Sequence, residues 1–110
     1  SPLAQGLLTG RFQRGHQFDP EDVRAKSKLF NGENFDRALD ALDKLIPIAE
    51  RHQTTLGNLA LAWLIAQPQT QAIVGVRNAE QASQNAKAVE VQPSEEELAE
   101  ISEIGNAVFL

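Results

Sequence analysis

The chain has 110 residues, 42% hydrophobic and 23% charged, which suffices for one core or part of a larger one and includes no apolar run of membrane length. Its net charge of −5 argues against a nucleic-acid surface, which needs clustered Lys and Arg, but leaves room for a single cation to hold one phosphate. The absence of cysteine excludes disulfides, thiolate nucleophiles and cysteine-ligated metals. No charged leader precedes an apolar stretch at Ser1 and no lipidation signal stands at Val108-Phe109-Leu110, so a soluble cytoplasmic protein with no membrane partner is expected.

In chain order, Ser1-Pro2-Leu3 runs straight into the glycine-punctuated apolar stretch Gly6-Leu7-Leu8-Thr9-Gly10, which reads as the middle of a longer protein. Residues 12–33 are polar and rich in turn formers, a long excursion loop in which Asp19-Pro20-Glu21-Asp22 offers a short helix start. From about Asn34, the spacing of Phe35, Leu39, Leu42, Ile46 and Ala49 predicts one apolar helical face ending near His52, with Pro47 as a kink point. Thr55 caps a second helix whose buried face is Leu56, Leu59, Ala60, Trp63 and Leu64, stopped by Gln67-Pro68, so that 34–66 is a helical region. Trp63 is read as core rather than as a cofactor contact. The short β-branched run Ala72-Ile73-Val74-Gly75-Val76 predicts a fully buried strand. Asn78 and Gln81 then make a capping-box pattern that starts a helix reaching roughly Val89, completing a unit over 71–89. Ser94 and Glu97 repeat that pattern for a last helix over 94–105, with Leu98, Ile101 and Ile104 as its stripe and Gly105 at its end. Glu95-Glu96-Glu97 complements the dipole of that helix. His16 and His52 have no ligand-spaced partner and are expected at the surface, with no metal site. The chain is therefore α/β but helix-rich, with one clear strand, too little to close a sheet of its own.

The chemistry-bearing stretch is Ile73 to Asn85. A buried strand ends at Gly75, Arg77 follows it, and a capped helix begins with amide donors free. That outlines an anion site: Gly75 admits a ligand to the backbone, the helix N-terminus is electropositive, and the planar guanidinium of Arg77 suits a phosphate. Gln81 and Asn85, four apart, share a helix face and extend amides toward the same side. The plain alternative is a solvent-exposed Arg beside a capped helix that binds nothing.

At these residues the sequence resembles the aldo-keto reductase family, whose eighth barrel strand and following helix carry a pattern like I-P-G-x-R-x-x-x-Q-x-x-x-N. It matches at Ile73, Gly75, Arg77, Gln81 and Asn85, while Val74 replaces the usual proline. Ser1 to Arg11 resembles the stretch after the seventh strand, S-P-L-x-x-G-L-L-x-G-K, with Arg11 for the usual Lys. Leu59 to Leu64 resembles the seventh helix and Ser94 to Leu98 the last one, and the closest likeness is to the bacterial branch that includes the inositol-operon reductase. The resemblance implies the C-terminal part of a (β/α)8 TIM barrel with NADP(H) across the C-terminal ends of the strands.

It further implies that Ser1, Leu3, the backbone from Gly6 to Gly10, and Arg11 flank the pyrophosphate. Gly75, Val76 and Arg77 would hold the adenosine 2′-phosphate, and Gln81, Gln84 and Asn85 would reach the adenine and its ribose; Gln84 stands where many members carry Glu. Loop 12–33 then lies on the substrate side, where it reads either as a lid shaping the pocket for a small carbonyl substrate or as a tolerated excursion, its position favouring the lid. In the family a Tyr tuned by Lys, Asp and His protonates the carbonyl oxygen. This chain has no Tyr, and that set lies upstream of anything matched here, so no residue is assigned a catalytic role. The expected function is the cofactor grip of an NADPH-dependent reductase of aldehydes or ketones. The alternative is a non-catalytic NADP-binding or assembly module derived from the family. The expected partner is the missing N-terminal half of the barrel, or a second copy of the chain.

Overall fold

A computed structural model describes residues 1–108; Phe109 and Leu110, read above for lipidation, lie outside the described residues. Among the described residues four helices form the frame: α1 Gly32–Arg51, α2 Leu56–Ile65, α3 Ala79–Ala86 and α4 Glu95–Asn106. Short 3₁₀ segments at Ala4–Thr9, Val23–Lys26, Lys28–Phe30 and Lys87–Glu90 supply the rest of the regular structure among the described residues. None of these helices is long and apolar enough to cross a membrane.

The long α1 organises the core because its apolar stripe faces two partners in succession. Its first half places Phe35, Ala38, Leu39, Ala41 and Leu42 against Leu7 and Phe30, with Phe12 and Phe18 from the excursion loop closing over them. Its second half places Ile48 and Ala49 against Leu59 of α2 and Ile101 of α4. The helix continues through Pro47, whose ring removes one backbone donor without ending it. Ile46, expected on the buried face, remains 39% exposed because nothing in the described chain covers that part of the stripe.

Helix ends follow local chemistry. Thr55 Oγ1 accepts from the Asn58 amide, and Ser94 and Glu97 form a complete reciprocal box. At α3, Asn78 Oδ1 accepts from the Gln81 amide, but Gln81 Oε1 takes the Arg77 amide, one residue earlier than a capping box would place it. α3 also ends sooner than expected, passing into the 3₁₀ turn Lys87–Glu90, whereas α4 runs one residue past Gly105. The expected helix start at Asp19 is only a turn, with Asp19 Oδ1 accepting from the Glu21 amide; the helical turn begins at Val23, capped by Asp22. In α2 the buried set is Gly57, Asn58, Leu59, Leu61 and Ala62, while Leu56, Ala60, Trp63 and Leu64 are half-buried. A helix apolar on every side gives no stripe from which to read its inner face.

The expected strand Ala72–Val76 is absent. The segment carries no regular structure and joins no ladder among the described residues, and Ile73 is 89% exposed. β-Branched residues favour extended backbone, yet a strand exists only when a neighbour exchanges N–H and C=O groups with it, and no such neighbour is described.

Candidate functional site

The loop before α1 and the segment leading into α3 face one another across a groove of about 680 Å³. One wall is Ser1, Pro2, Leu3, Gln5, Gly6, Thr9 and Arg11; the other is Val74, Gly75, Val76 and Arg77 with Gln81 and Asn85 of α3. Asp22, Val23 and Arg24 of the excursion loop form the third side.

The first wall is a kinked turn. Gln5 and Gly6 both have positive φ, and the Leu3 carbonyl accepts from the amides of Gly6 and Leu8 at 3.0 and 3.2 Å. Thr9 Oγ1 donates to the Gly6 carbonyl at 2.6 Å, which ties the kink shut. Glycine at position 6 matters twice, because its φ of +93° is left-handed and a Cβ there would sit 3.0 Å from Arg11 Nη2. The Arg11 guanidinium is thus free to close against the loop, stacked 4.7 Å over the Phe12 ring.

Arg24 is held more firmly. Its Nε and Nη2 donate to Asp22 Oδ1 and Oδ2 at 3.0 and 2.7 Å, Nη1 donates to the Gln5 carbonyl at 3.3 Å, and the guanidinium lies 5.0 Å over the Phe18 ring. The side-chain hydrogen bonds from Arg24, the Arg24 amide, and the charges of Arg24 and Arg11 hold the Asp22 carboxyl down to about 2. The same bonds raise the Arg24 pKa. The lining therefore carries Arg11, Arg24 and Arg77 against Asp22, a formal +2 in a chain of net −5. Arg77 has no ion-pair partner among the described residues.

This donor set suits a phosphorylated ligand. Guanidiniums bind phosphate oxygens in pairs, and beyond Gly75 an added Cβ would meet nothing within 4 Å, so the backbone there is open to a ligand. The helix end offers less than the sequence implies, since the amides of Arg77 and Gln81 are already spent on side chains. Among the described residues, the Ala79 and Glu80 amides at its first turn remain without an acceptor.

Of the residues singled out in the sequence, Ser1, Leu3, Gly6, Arg11, Gly75, Val76, Arg77, Gln81 and Asn85 line the groove together. Gly10 and Gln84 do not. Gly10 ends the first turn with φ +76°, against Leu56, and the Gln84 carbonyl accepts from the buried Asn58 side chain at 2.9 Å. Thr9, within the stretch Gly6 to Gly10 that the sequence assigned to the site, also lines it, whereas Gln5, Asp22 and Arg24 were not foreseen there. An Asp two residues before an Arg was the available signal, but nothing local shows that this pair folds back onto Gln5. His16 stacks 4.6 Å from the Phe18 ring, and His52 Nε2 lies 2.9 Å from Glu97 Oε1, so the two histidines serve the scaffold.

The sequence profile described as the aldo/keto reductase family matches residues 1–106. The chain is 34% identical over 98% of its length to an NADH-specific methylglyoxal reductase of Escherichia coli, covering 33% of that protein. It is likewise 34% identical over 94% of its length to the aldo-keto reductase yakc [NADP(+)] of Schizosaccharomyces pombe, covering 31% of it. Its fold is similar to part of a glycerol dehydrogenase from Gluconobacter oxydans, with a TM-score of 0.84 and 29% identity over 94% of this chain and 32% of that one. The chain thus spans about a third of the length of the relatives it matches. With a profile match running through the kinked loop, the helices and the Arg77 segment alike, the chain belongs to the aldo/keto reductase family.

Proposed function

We propose that this chain is the cofactor-phosphate grip of an NADPH-dependent oxidoreductase that reduces aldehydes or ketones to alcohols. The observation that carries the reading is the groove itself: segments more than sixty positions apart bring Arg11 and Arg77 to one electropositive cleft beside the open backbone at Gly75. NADP(H), when bound, supplies the hydride that reduces a carbonyl carbon. The residues of this chain bind and orient. Arg11 and the kinked turn from Ser1 to Gly10 lie against the pyrophosphate. Gly75, Val76 and Arg77 take the 2′-phosphate, while Gln81 and Asn85, which line the groove where Gln84 does not, turn toward the adenosine. The relatives divide over the cofactor, one being named NADH-specific and another NADP(+), and Arg77 is the residue that tips this chain toward NADPH.

Proton delivery to the carbonyl oxygen falls to residues elsewhere in the barrel. The chain has no Tyr, and the excursion loop contributes a wall of the groove rather than an acid, so the chain by itself is inactive. Arg77→Ala in the intact protein carrying this chain is expected to weaken NADPH by about ten- to a hundredfold, the loss of one charge-assisted pairing, and to leave NADH nearly unchanged. Titration of both cofactors reads the difference. Equal losses for the two would remove the 2′-phosphate role, and no loss for either would remove Arg77 from the site.

A further inference from the structure

We propose that Asn58, buried and outside the groove, is a positioning residue that fixes the separation of the groove's two walls; the inference rests on the phosphate-site reading above. α3 carries the whole second wall beyond Arg77, yet none of its eight residues is buried. A helix with no buried side chain has no apolar anchor of its own, so polar contacts and its flanks must hold it. Two contacts do so. Ala88, in the 3₁₀ turn that follows, is buried at 3% exposure, and Asn58 Nδ2 donates to the Gln84 carbonyl at 2.9 Å in the last turn of α3. Asn58 is the only buried polar residue among those described, 5% exposed, and its donor is satisfied by that one carbonyl.

The same turn of α2 touches the other wall. A side-chain carbon built on Gly57 would lie 3.8 Å from Thr9 and 3.9 Å from Leu3, and one built on Gly10 would lie 2.9 Å from Leu56 Cδ1. The first turn of α2 is itself locked by the Thr55 cap, whose Oγ1 receives the Asn58 amide at 3.1 Å. Leu56, Gly57 and Asn58 therefore form a fixed post, with the kinked loop on one side and α3 on the other. Losing the Asn58 bond frees α3 to shift relative to the loop without disturbing the loop.

Two probes separate the walls. Adenosine 2′,5′-bisphosphate carries phosphates at both ends of its ribose and must engage both walls at once, whereas inorganic pyrophosphate engages the Arg11 loop alone. In the intact protein carrying this chain, Asn58→Asp keeps the shape but turns the donor into an acceptor facing the Gln84 carbonyl, and Asn58→Ala removes the bond without adding charge. The alanine variant serves if the aspartate variant melts below the assay temperature. Each is expected to weaken adenosine 2′,5′-bisphosphate by about tenfold, the loss of one buried hydrogen bond and its geometry, with pyrophosphate affinity unchanged. Calorimetry with both probes measures it. Equal weakening of both probes, or no change in either, would overturn the positioning role. A wild-type protein that binds neither probe would instead remove the phosphate-site reading and this inference with it, an outcome distinct from wild-type binding that the variants retain.

Discussion

Arg77 and Asp22 differ in how their surroundings are made. Arg77 is flanked by Gly75 and the Asn78 cap, all within a few positions, so its exposure beside a helix start was legible in the sequence. Asp22 and Arg24 gain their role only when the excursion loop folds back, setting the guanidinium on the Gln5 carbonyl and the Phe12 and Phe18 rings. No periodicity marks such a contact. The pair does have a measurable signature. The Asp22 carboxyl is held at about 2, below its unfolded value near 4, so the stability it lends the loop is complete above about pH 4 and lost as pH falls through about 2. Carboxyl titration by NMR is expected to give a midpoint for Asp22 near 2, and Arg24→Gln should return it toward 4. A wild-type midpoint near 4 would show that Arg24 does not hold the loop.

The caps at Thr55, Asn78 and Ser94 were legible from a few residues, although the start expected at Asp19 proved only a turn, and the strand that depends on distant partners was not. Ser94 with Glu97 needs only four residues to declare itself, and α4 begins there. The strand expected at Ala72–Val76 needs neighbours, and the sequence of one segment cannot supply them. Glu97 also shows what a local motif hides. Besides the Ser94 amide at 3.0 Å it receives His52 Nε2 at 2.9 Å and lies 3.3 Å from Arg51 Nη2, joining the end of α1 to the start of α4. The Ser94 amide first, and then His52, lower the Glu97 pKa, so its contribution is complete above the ordinary glutamate range and declines as pH falls below it. Ser94→Ala, which removes the cap but keeps the backbone bond, is expected to cost about 1 kcal/mol. Glu97→Ala should cost more, because it also releases His52 and Arg51. Denaturant midpoints of the two variants decide the order, and equal costs would show that the link between α1 and α4 adds nothing.

At the scale of the molecule, the helices share two apolar clusters while the surface that would meet a sheet is left open. Ile73 is 89% exposed, Val89 68% and Val76 47%, and Ile46 interrupts an otherwise buried stripe. These are the residue types that parallel strands bury on both faces, and the backbone from 71 to 76 presents its N–H and C=O groups without a ladder. Such an edge recruits another chain, because pairing satisfies the backbone and covers the side chains in a single step. The chain spans about a third of the length of its relatives, and these exposed apolar residues have the character of a contact surface. Alone in solution, the 12.0 kDa chain is therefore expected to self-associate through the 71–76 segment. Sedimentation should show the mean mass rising with concentration. Ile73→Lys, which places a charge on the edge without touching the helical clusters, should return the chain toward its monomer mass. A compact monomer with a sharp cooperative melt at every concentration would show instead that α1, α2 and α4 already bury all the core this fold requires, and that the 71–76 segment is an ordinary surface loop.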